Sequence, residues 1–403
     1  MASLGAPKNQ IPRLQSIDVL RGSVMVLMAL DHVRDFFHRS AALFSPTDLT
    51  LTTPVLFLTR WITHFCMPVF MFAAGIGAYL WWRRGRRSRS QLSRFLVTRG
   101  LWFILLELTV MQFAYNFDIS SRNLVLLLIL WIFGLCMIVM AALIYIPLRW
   151  LAVLSVAAIA LHNCLDGVSP SRFGSMAWVW DLVHQPGVIV LAGRQILEPY
   201  TLLPWIAVMA AGFCFGQLFE LDAARRQRIM MRVGLGASAA FFIIRAINHY
   251  GDPAPWSIQN SAIFTLLSFL NCTKYPASLD FLLMTLGPAI IVLSLLDRCS
   301  LKTAHPLLVF GRVPMFYFVL HFYAIHALAV LMAWVRYGRA AFSFMFHPLP
   351  SMGGPAELFP RGFGYNLWAV YLVWILIVAL LYPACRWFAN VKAARRDWWL
   401  SYL

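Results

Sequence analysis

Apolar residues fall in long runs along this chain, and polar residues fill the short gaps between them. The runs cover 17–38, 54–82, 95–117, 123–146, 149–164, 201–220, 230–248, 279–297, 313–334 and 364–388. Most approach the roughly 20 residues that an α-helix needs to cross a hydrocarbon core at about 1.5 Å per residue. The run 149–164 is short, and 54–82 is long enough to tilt or to extend past the membrane. The pattern predicts an all-α fold, a polytopic transmembrane helix bundle of about ten spans. Residues 17–388 then form a single membrane domain between an N-terminal segment, 1–16, and a tail, 389–403. Residues 1–16 are polar and no small-residue cleavage site follows the first run, so that run reads as a span and not as a cleaved signal.

Charge orients the bundle. With an even number of spans and the N-terminus inside, the densest basic clusters all land in inner gaps: Arg83–Arg99, Arg225–Arg232, Arg298–Arg312 and Arg386–Arg396. That is the positive-inside pattern, and it places both termini of a multi-pass membrane protein in the cytoplasm. Three stretches do not read as simple spans: 165–200, 252–278 and 335–363. All lie on the outer side in this topology, and their aromatic content predicts an ordered cap or re-entrant segments.

Composition agrees. Hydrophobic residues make up 61% of the 403 and charged residues only 12%, against about 25% charged in a soluble domain. The lipid bilayer is therefore the first partner. The formal charge of +17 follows topology and does not predict a nucleic-acid partner. Seven scattered cysteines form no CxxC pair, so neither a disulfide framework nor a zinc site is predicted, and Asp31, Asp35 and His38 lack an evident fourth ligand for a metal.

The first run carries the candidate chemistry. Arg21 and His32 stand eleven positions apart, about three helical turns and 16 Å, and so share a face. Asp31, His32, Arg34, Asp35 and His38 crowd two turns at the outer end. Ionisable groups inside a membrane need a partner or a purpose. A carboxylate beside a histidine fixes its tautomer and raises its basicity, which suits a general base. Either these groups form a site, or Arg34, Asp35 and His38 mark the interfacial end of the helix and Arg21 anchors its start. Arg60 and His64, four apart, either complete the site or anchor the second helix; Lys274 and Tyr275 either bind an acceptor or end a helix. Glu107, Gln112, His321 and His326 pose the same choice between a polar interior and hydrogen-bonded packing.

Arg, ten residues, then His in the first helix resembles the signature of the transmembrane acyltransferase superfamily. The chain is most similar to bacterial heparan-α-glucosaminide N-acetyltransferase-like membrane proteins. The matching pieces are Ile17-Asp18-Val19-Leu20-Arg21-Gly22, Thr63-His64-Phe65-Cys66-Met67-Pro68-Val69-Phe70 with Ala74-Gly75, Leu270-Asn271-Cys272-Thr273-Lys274-Tyr275-Pro276 running into Met284-Thr285-Leu286-Gly287-Pro288, and Gly311-Arg312-Val313-Pro314 leading to His321 and His326. The resemblance implies an acyl-CoA-dependent O- or N-acyltransferase. It would move an acyl group, acetyl in the first instance, from cytoplasmic acyl-CoA to a hydroxyl or amine on the outer side, with a glycan as the expected acceptor and a homo-oligomer compatible with it.

It further places His32 where these enzymes keep an essential His and Arg21 where they keep an essential Arg. On the acyltransferase reading His32 is the catalytic base or acyl carrier with Asp31 orienting it, Arg21 orders the helix entrance or binds the CoA donor, and Arg34, Asp35, His38, Arg60, His64, Lys274 and Tyr275 are the candidates for the acceptor side. In the lysosomal relative an Asn stands at the position of His32 and the catalytic His lies further on, where His38 is the nearest later His here, at a different spacing. Set against this is a proton-coupled transporter or exporter, for which intramembrane Asp, Glu and His are relay groups. No internal repeat supports it.

Overall fold

A computed structural model describes residues 14–118, 124–191, 194–395, 397 and 400. The helices, in chain order, are α1 (Gln15–Phe37), α2 (Pro54–Thr63), α3 (Cys66–Arg84), α4 (Arg89–Leu106), α5 (Gln112–Asn116), α6 (Ile129–Leu143), α7 (Leu148–Leu161), α8 (Ala177–Val183), α9 (Leu202–Phe215), α10 (Ala223–Ile247), α11 (Ala262–Leu270), α12 (Leu279–Leu296), α13 (Pro306–Arg312), α14 (Pro314–Tyr337), α15 (Phe342–Met345) and α16 (Leu367–Ala394). The fold is a polytopic helical bundle. Among the described residues, eight helical stretches are long and apolar enough to cross a membrane. They correspond to eight of the expected runs.

The other two expected runs, 17–38 and 123–146, became α1 and α6. Five charged side chains (Asp18, Arg21, Asp31, Arg34 and Asp35) lower the apolarity of α1, and α6 has only 15 residues. Yet α1 is the hub of the bundle, packed against α2, α3, α12, α13, α14 and α16. Its charges are tolerable there because protein, not lipid, surrounds them. The helices at the rim turn large apolar side chains outward instead: Val153, Leu154 and Val156 of α7, Phe242, Ile243 and Ile247 of α10, and Leu372, Ile375 and Leu380 of α16 are all exposed. A surface of that kind belongs in lipid.

Helix ends follow local chemistry. Thr53 caps α2 ahead of Pro54, and Ser88 with Gln91 forms a capping box on α4. The expected run 54–82 is broken at His64–Phe65 into α2 and α3. At Glu107–Met111 the third run loosens into a π turn. There Glu107 accepts the Leu128 and Leu130 backbone N–H groups and the Tyr115 hydroxyl, each at 3.0 Å. Gln112 bonds the Leu126 backbone on both sides, and His326 contacts the carbonyls of Ala114 at 2.8 Å and Met345 at 2.9 Å. These polar groups serve backbone that the helices leave unpaired.

A three-stranded sheet accompanies the helices: β1 (Leu124–Leu126), β2 (Gly187–Leu191) and β3 (Arg194–Glu198). Its order is β1-β3-β2, with β1 parallel to β3 in the register Leu124↔Gln195 and β2 antiparallel to β3 in the register Gly187↔Glu198. Of the stretch 165–200, expected as an ordered cap or re-entrant segment, the described part holds α8 and the strands β2 and β3.

Small residues let α1 and α13 touch backbone to backbone. A methyl added at Gly22 would lie 1.7 Å from the Leu307 carbonyl oxygen, and one at Gly311 would lie 1.6 Å from that of Asp18. This is the close approach that glycine permits between membrane helices. Gly22→Ala must push the two helices apart, at a cost of about 1–3 kcal/mol or more. The expected outcome is a lower melting temperature and partial aggregation in detergent, read by scanning fluorimetry and size exclusion. An unchanged Tm would mean that the crossing has slack.

Candidate functional site

Three cavities lie along one stripe of α1. Arg21, Met25, Met28 and His32 follow one another at helical spacing, and each faces one or more of the cavities. The first cavity is polar, about 570 Å³, and within the range of small-molecule sites. Asp31, His32, Arg34, Asp35, Arg60, Thr63, Lys274 and Tyr275 line it, with walls from Leu197, Pro199 and Tyr200 and from the stretch 350–356. The second, about 290 Å³, is lined mostly by apolar side chains such as Met25, Phe70, Phe103, Phe133 and Phe318. The third, about 400 Å³, is on balance basic, with Arg21, Arg84 and Arg87 against one carboxylate, Asp18, among apolar side chains. The polar and apolar cavities share Met28 and Ile129 as walls. The apolar and basic cavities share Arg21, Gly77 and Trp81.

In the polar cavity the two carboxylates of α1 do different things. Asp31 accepts from Arg34 Nη2 at 2.9 Å, from Thr63 Oγ1 at 3.0 Å and from Arg60 Nη1. It therefore ties α1 to α2. Asp35 accepts from Arg34 Nη2 at 2.8 Å, and its other oxygen lies 4.0 Å from His32 Nδ1. The carboxylate facing the histidine is that of Asp35; the hydrogen bonds of Asp31 go to Arg34, Arg60 and Thr63. His32 is buried, packs 4.2 Å from the Phe322 ring, and has no hydrogen-bond partner on either ring nitrogen among the described residues.

Across the cavity, a loop between α11 and α12 presents Lys274 and Tyr275. Asp252 holds this loop, accepting from the Thr273 N–H at 2.7 Å, Thr273 Oγ1 at 2.8 Å and Ser278 Oγ at 2.6 Å. The buried Arg245 guanidinium bonds four backbone carbonyls around it. The Lys274 ammonium sits 5.2 Å from the Tyr275 ring centre and 6.0 Å from that of Tyr200. Burial pushes the Tyr275 phenol up, but the Lys274 and Arg60 charges outweigh that and bring it below its ordinary value. Behind the wall, burial pushes the Glu198 carboxyl up to about 8, against a hydrogen bond from the Trp131 indole.

Most of the predicted residues meet here: Asp31, His32, Arg34, Asp35, Arg60, Lys274 and Tyr275 share one cavity. His38 does not line it. Its Nδ1 accepts from the Ser40 N–H at 3.1 Å and caps a short turn. His64 is also set apart, buried against Phe281 with ring centres 5.3 Å apart. Arg21 lies at the other end, donating to the Ala73 carbonyl at 2.6 Å in the basic and apolar cavities. Gly77 leaves room for it, since a methyl there would stand 2.7 Å from its guanidinium. Sequence reasoning missed Thr63, Tyr200 and the 350–356 wall as site residues, although Thr63 lies in a motif already singled out.

A sequence profile of the catalytic domain of heparan-α-glucosaminide N-acetyltransferase matches residues 13–246. The chain belongs to that family. No curated protein matches it. Membership in the heparan-α-glucosaminide N-acetyltransferase family makes the chain a membrane enzyme of the acyl-transfer kind in general terms. The match runs from α1 through most of α10 and takes in Arg21, His32 and Arg60. The Lys274–Tyr275 loop and α14 lie beyond it.

Proposed function

We propose that this protein carries an acyl group, acetyl in the simplest case, from cytoplasmic acyl-CoA to a hydroxyl or amine acceptor, a glycan by family analogy, on the far side of the membrane. The observation that carries this reading is the series of adjoining cavities along α1, basic at one end and holding His32 at the other. CoA phosphates suit Arg21, Arg84 and Arg87. The slender pantetheine arm suits the apolar middle, and the roughly 16 Å from Arg21 to His32 is a length that such an arm spans when extended. The chain then crosses the membrane ten times, α1 and α6 joining the eight apolar stretches, with both ends cytoplasmic in the cell (inner) membrane.

The chemistry balances with His32 as general base. One ring nitrogen takes the proton of the acceptor O–H or N–H while the acceptor atom bonds to the thioester carbon. The C–S bond breaks, its electron pair goes to sulfur, and His32 returns the proton to give CoA thiol. Arg60, Lys274 and Tyr275 offer donors to the acceptor, and Asp35 faces the imidazolium as it forms. Asp31 is a tether between α1 and α2 in this scheme.

Sealed proteoliposomes test the reading. Acetyl-CoA is supplied on one face and a panel of glycans on the other. CoA release and acylated product are expected only when acetyl-CoA meets the face bearing Arg84 and Arg87. Absence of CoA release with any acyl-CoA, or solute flux without thioester cleavage, would sink the reading in favour of a transporter.

A further inference from the structure

His321 lies directly behind His32. The two ring centres are 5.2 Å apart with planes tilted by 46°. His321 is fully buried on α14 and lines none of the three cavities. Its Nδ1 sits 3.1 Å from the Tyr317 carbonyl oxygen. A carbonyl oxygen can only accept, so that nitrogen carries the hydrogen of the neutral ring. The tautomer of His321 is thereby set, and its Nε2 is a lone-pair acceptor. Among the described residues, Nε2 is buried without a hydrogen-bond partner, as are both nitrogens of His32. Three orphaned ring nitrogens in one place are costly, at about 1–3 kcal/mol each. Pairing two of them removes most of that cost.

The pairing is within reach. A ring nitrogen lies about 1.1 Å from its ring centre, so nitrogens aimed at each other across 5.2 Å come to about 3 Å, a hydrogen-bond length. Torsions about χ2 of histidine are broad, so a turn of the His32 ring can bring one of its nitrogens toward His321. Stacking against Tyr317, with ring centres 5.5 Å apart and planes 15° apart, holds His321 itself in place.

We propose that His321 is the positioning residue of this site: its Nε2 accepts the N–H of His32, locks the tautomer of His32, and leaves the other His32 nitrogen as a lone-pair base toward the polar cavity. Its catalytic consequence rests on the acyl-transfer reading above; the pairing itself does not. The role is the one that an orienting carboxylate fills elsewhere, done here by a neutral ring with a fixed tautomer. Asp35, whose nearest oxygen is 4.0 Å from His32 Nδ1, is beyond hydrogen-bond length and already serves Arg34.

Nitrogen-15 spectra of the histidine-labelled protein in detergent read the tautomer directly, with His32 assigned through His32→Asn. Wild type is expected to show one pyrrole-type and one pyridine-type nitrogen for His32. In His321→Leu those two signals should merge toward an exchange average. His321→Gln, which keeps an acceptor at that reach, should restore the split. In parallel, kcat for CoA release is expected to fall about 10–100-fold in His321→Leu with KM for acetyl-CoA unchanged, and to recover mostly in His321→Gln. A locked His32 in His321→Leu, or a lock lost in Asp35→Asn but kept in His321→Leu, overturns the pairing. A lock that depends on His321 in a protein that releases no CoA upholds the pairing and sinks only the acyl-transfer reading.

Discussion

His32→Ala is expected to reduce acyl transfer by about 10³-fold or more while leaving a folded protein, the upper part of what removal of a general base costs. In free energy that is about 4 kcal/mol of transition-state stabilisation. The fold should survive because the imidazole makes no hydrogen bond among the described residues and lies beside a cavity. What goes with it is ring contact with Phe322 and His321 and the proposed pairing with His321 Nε2, so the stability cost is about 1–3 kcal/mol. The pairing is diagnostic: a turnover loss with the elution profile and melting temperature nearly intact points to chemistry, whereas parallel loss of both points to packing. The decisive measurements are CoA release and labelled product in proteoliposomes, beside scanning fluorimetry with and without acetyl-CoA. Donor binding should persist, because the residues suited to CoA phosphates lie at the other end of α1. Turnover within tenfold of wild type would remove His32 from the mechanism.

Much of this arrangement could be read before any coordinates. Long apolar runs can be satisfied in lipid only by helices, and the runs at 279–297 and 364–388 became α12 and α16 within a few residues. The first helix was legible for the opposite reason, because charges so dense in a span demand company. Spacing alone put Arg21 and His32 on one face, and the cavities follow that face. What spacing could not give was the company itself. Asp31 finds Arg60 and Thr63 about thirty residues on, across the α2 contact. Nothing in a local window shows that Asp31 is engaged there while Asp35 is the one that turns to the histidine.

The cavity walls were the least legible part. Leu197, Pro199 and Tyr200 and the wall within 350–356 come from stretches whose aromatic, Gly and Pro content says only that they are not simple spans. Their positions depend on non-local pairing such as β1 with β3, in which Leu124 meets Gln195. The break at His64–Phe65 was equally hidden, because the sequence there stays apolar on both sides. His321 illustrates a further limit. Its place in an apolar helix fits quiet packing, and only the fixed Nδ1, the orphaned Nε2 and the neighbouring ring distinguish it from His326, whose two nitrogens both reach carbonyls.

Met28 is where the transmembrane reading is most exposed. It is buried and lines both the polar and the apolar cavities, as does Ile129. On the proposed route, a donor bound among the arginines passes this point to reach His32. Met28→Trp sets a larger and stiffer side chain into the passage and is expected to lower acyl transfer about 100-fold or more, since a reacting carbon held short of its attack position loses most of the advantage of proximity. Met28 belongs to the buried core as well as lining the cavities, so an overpacking cost of about 1–3 kcal/mol is expected. Free CoA should still raise the melting temperature, because Arg21, Arg84 and Arg87 are untouched. Met28→Ala, which opens the same junction, should keep transfer and admit longer acyl chains. These three readings together separate a blocked passage from a damaged protein. If Met28→Trp transfers acetyl as fast as wild type, the thioester reaches His32 by another route, and the cavities along α1 are not the path.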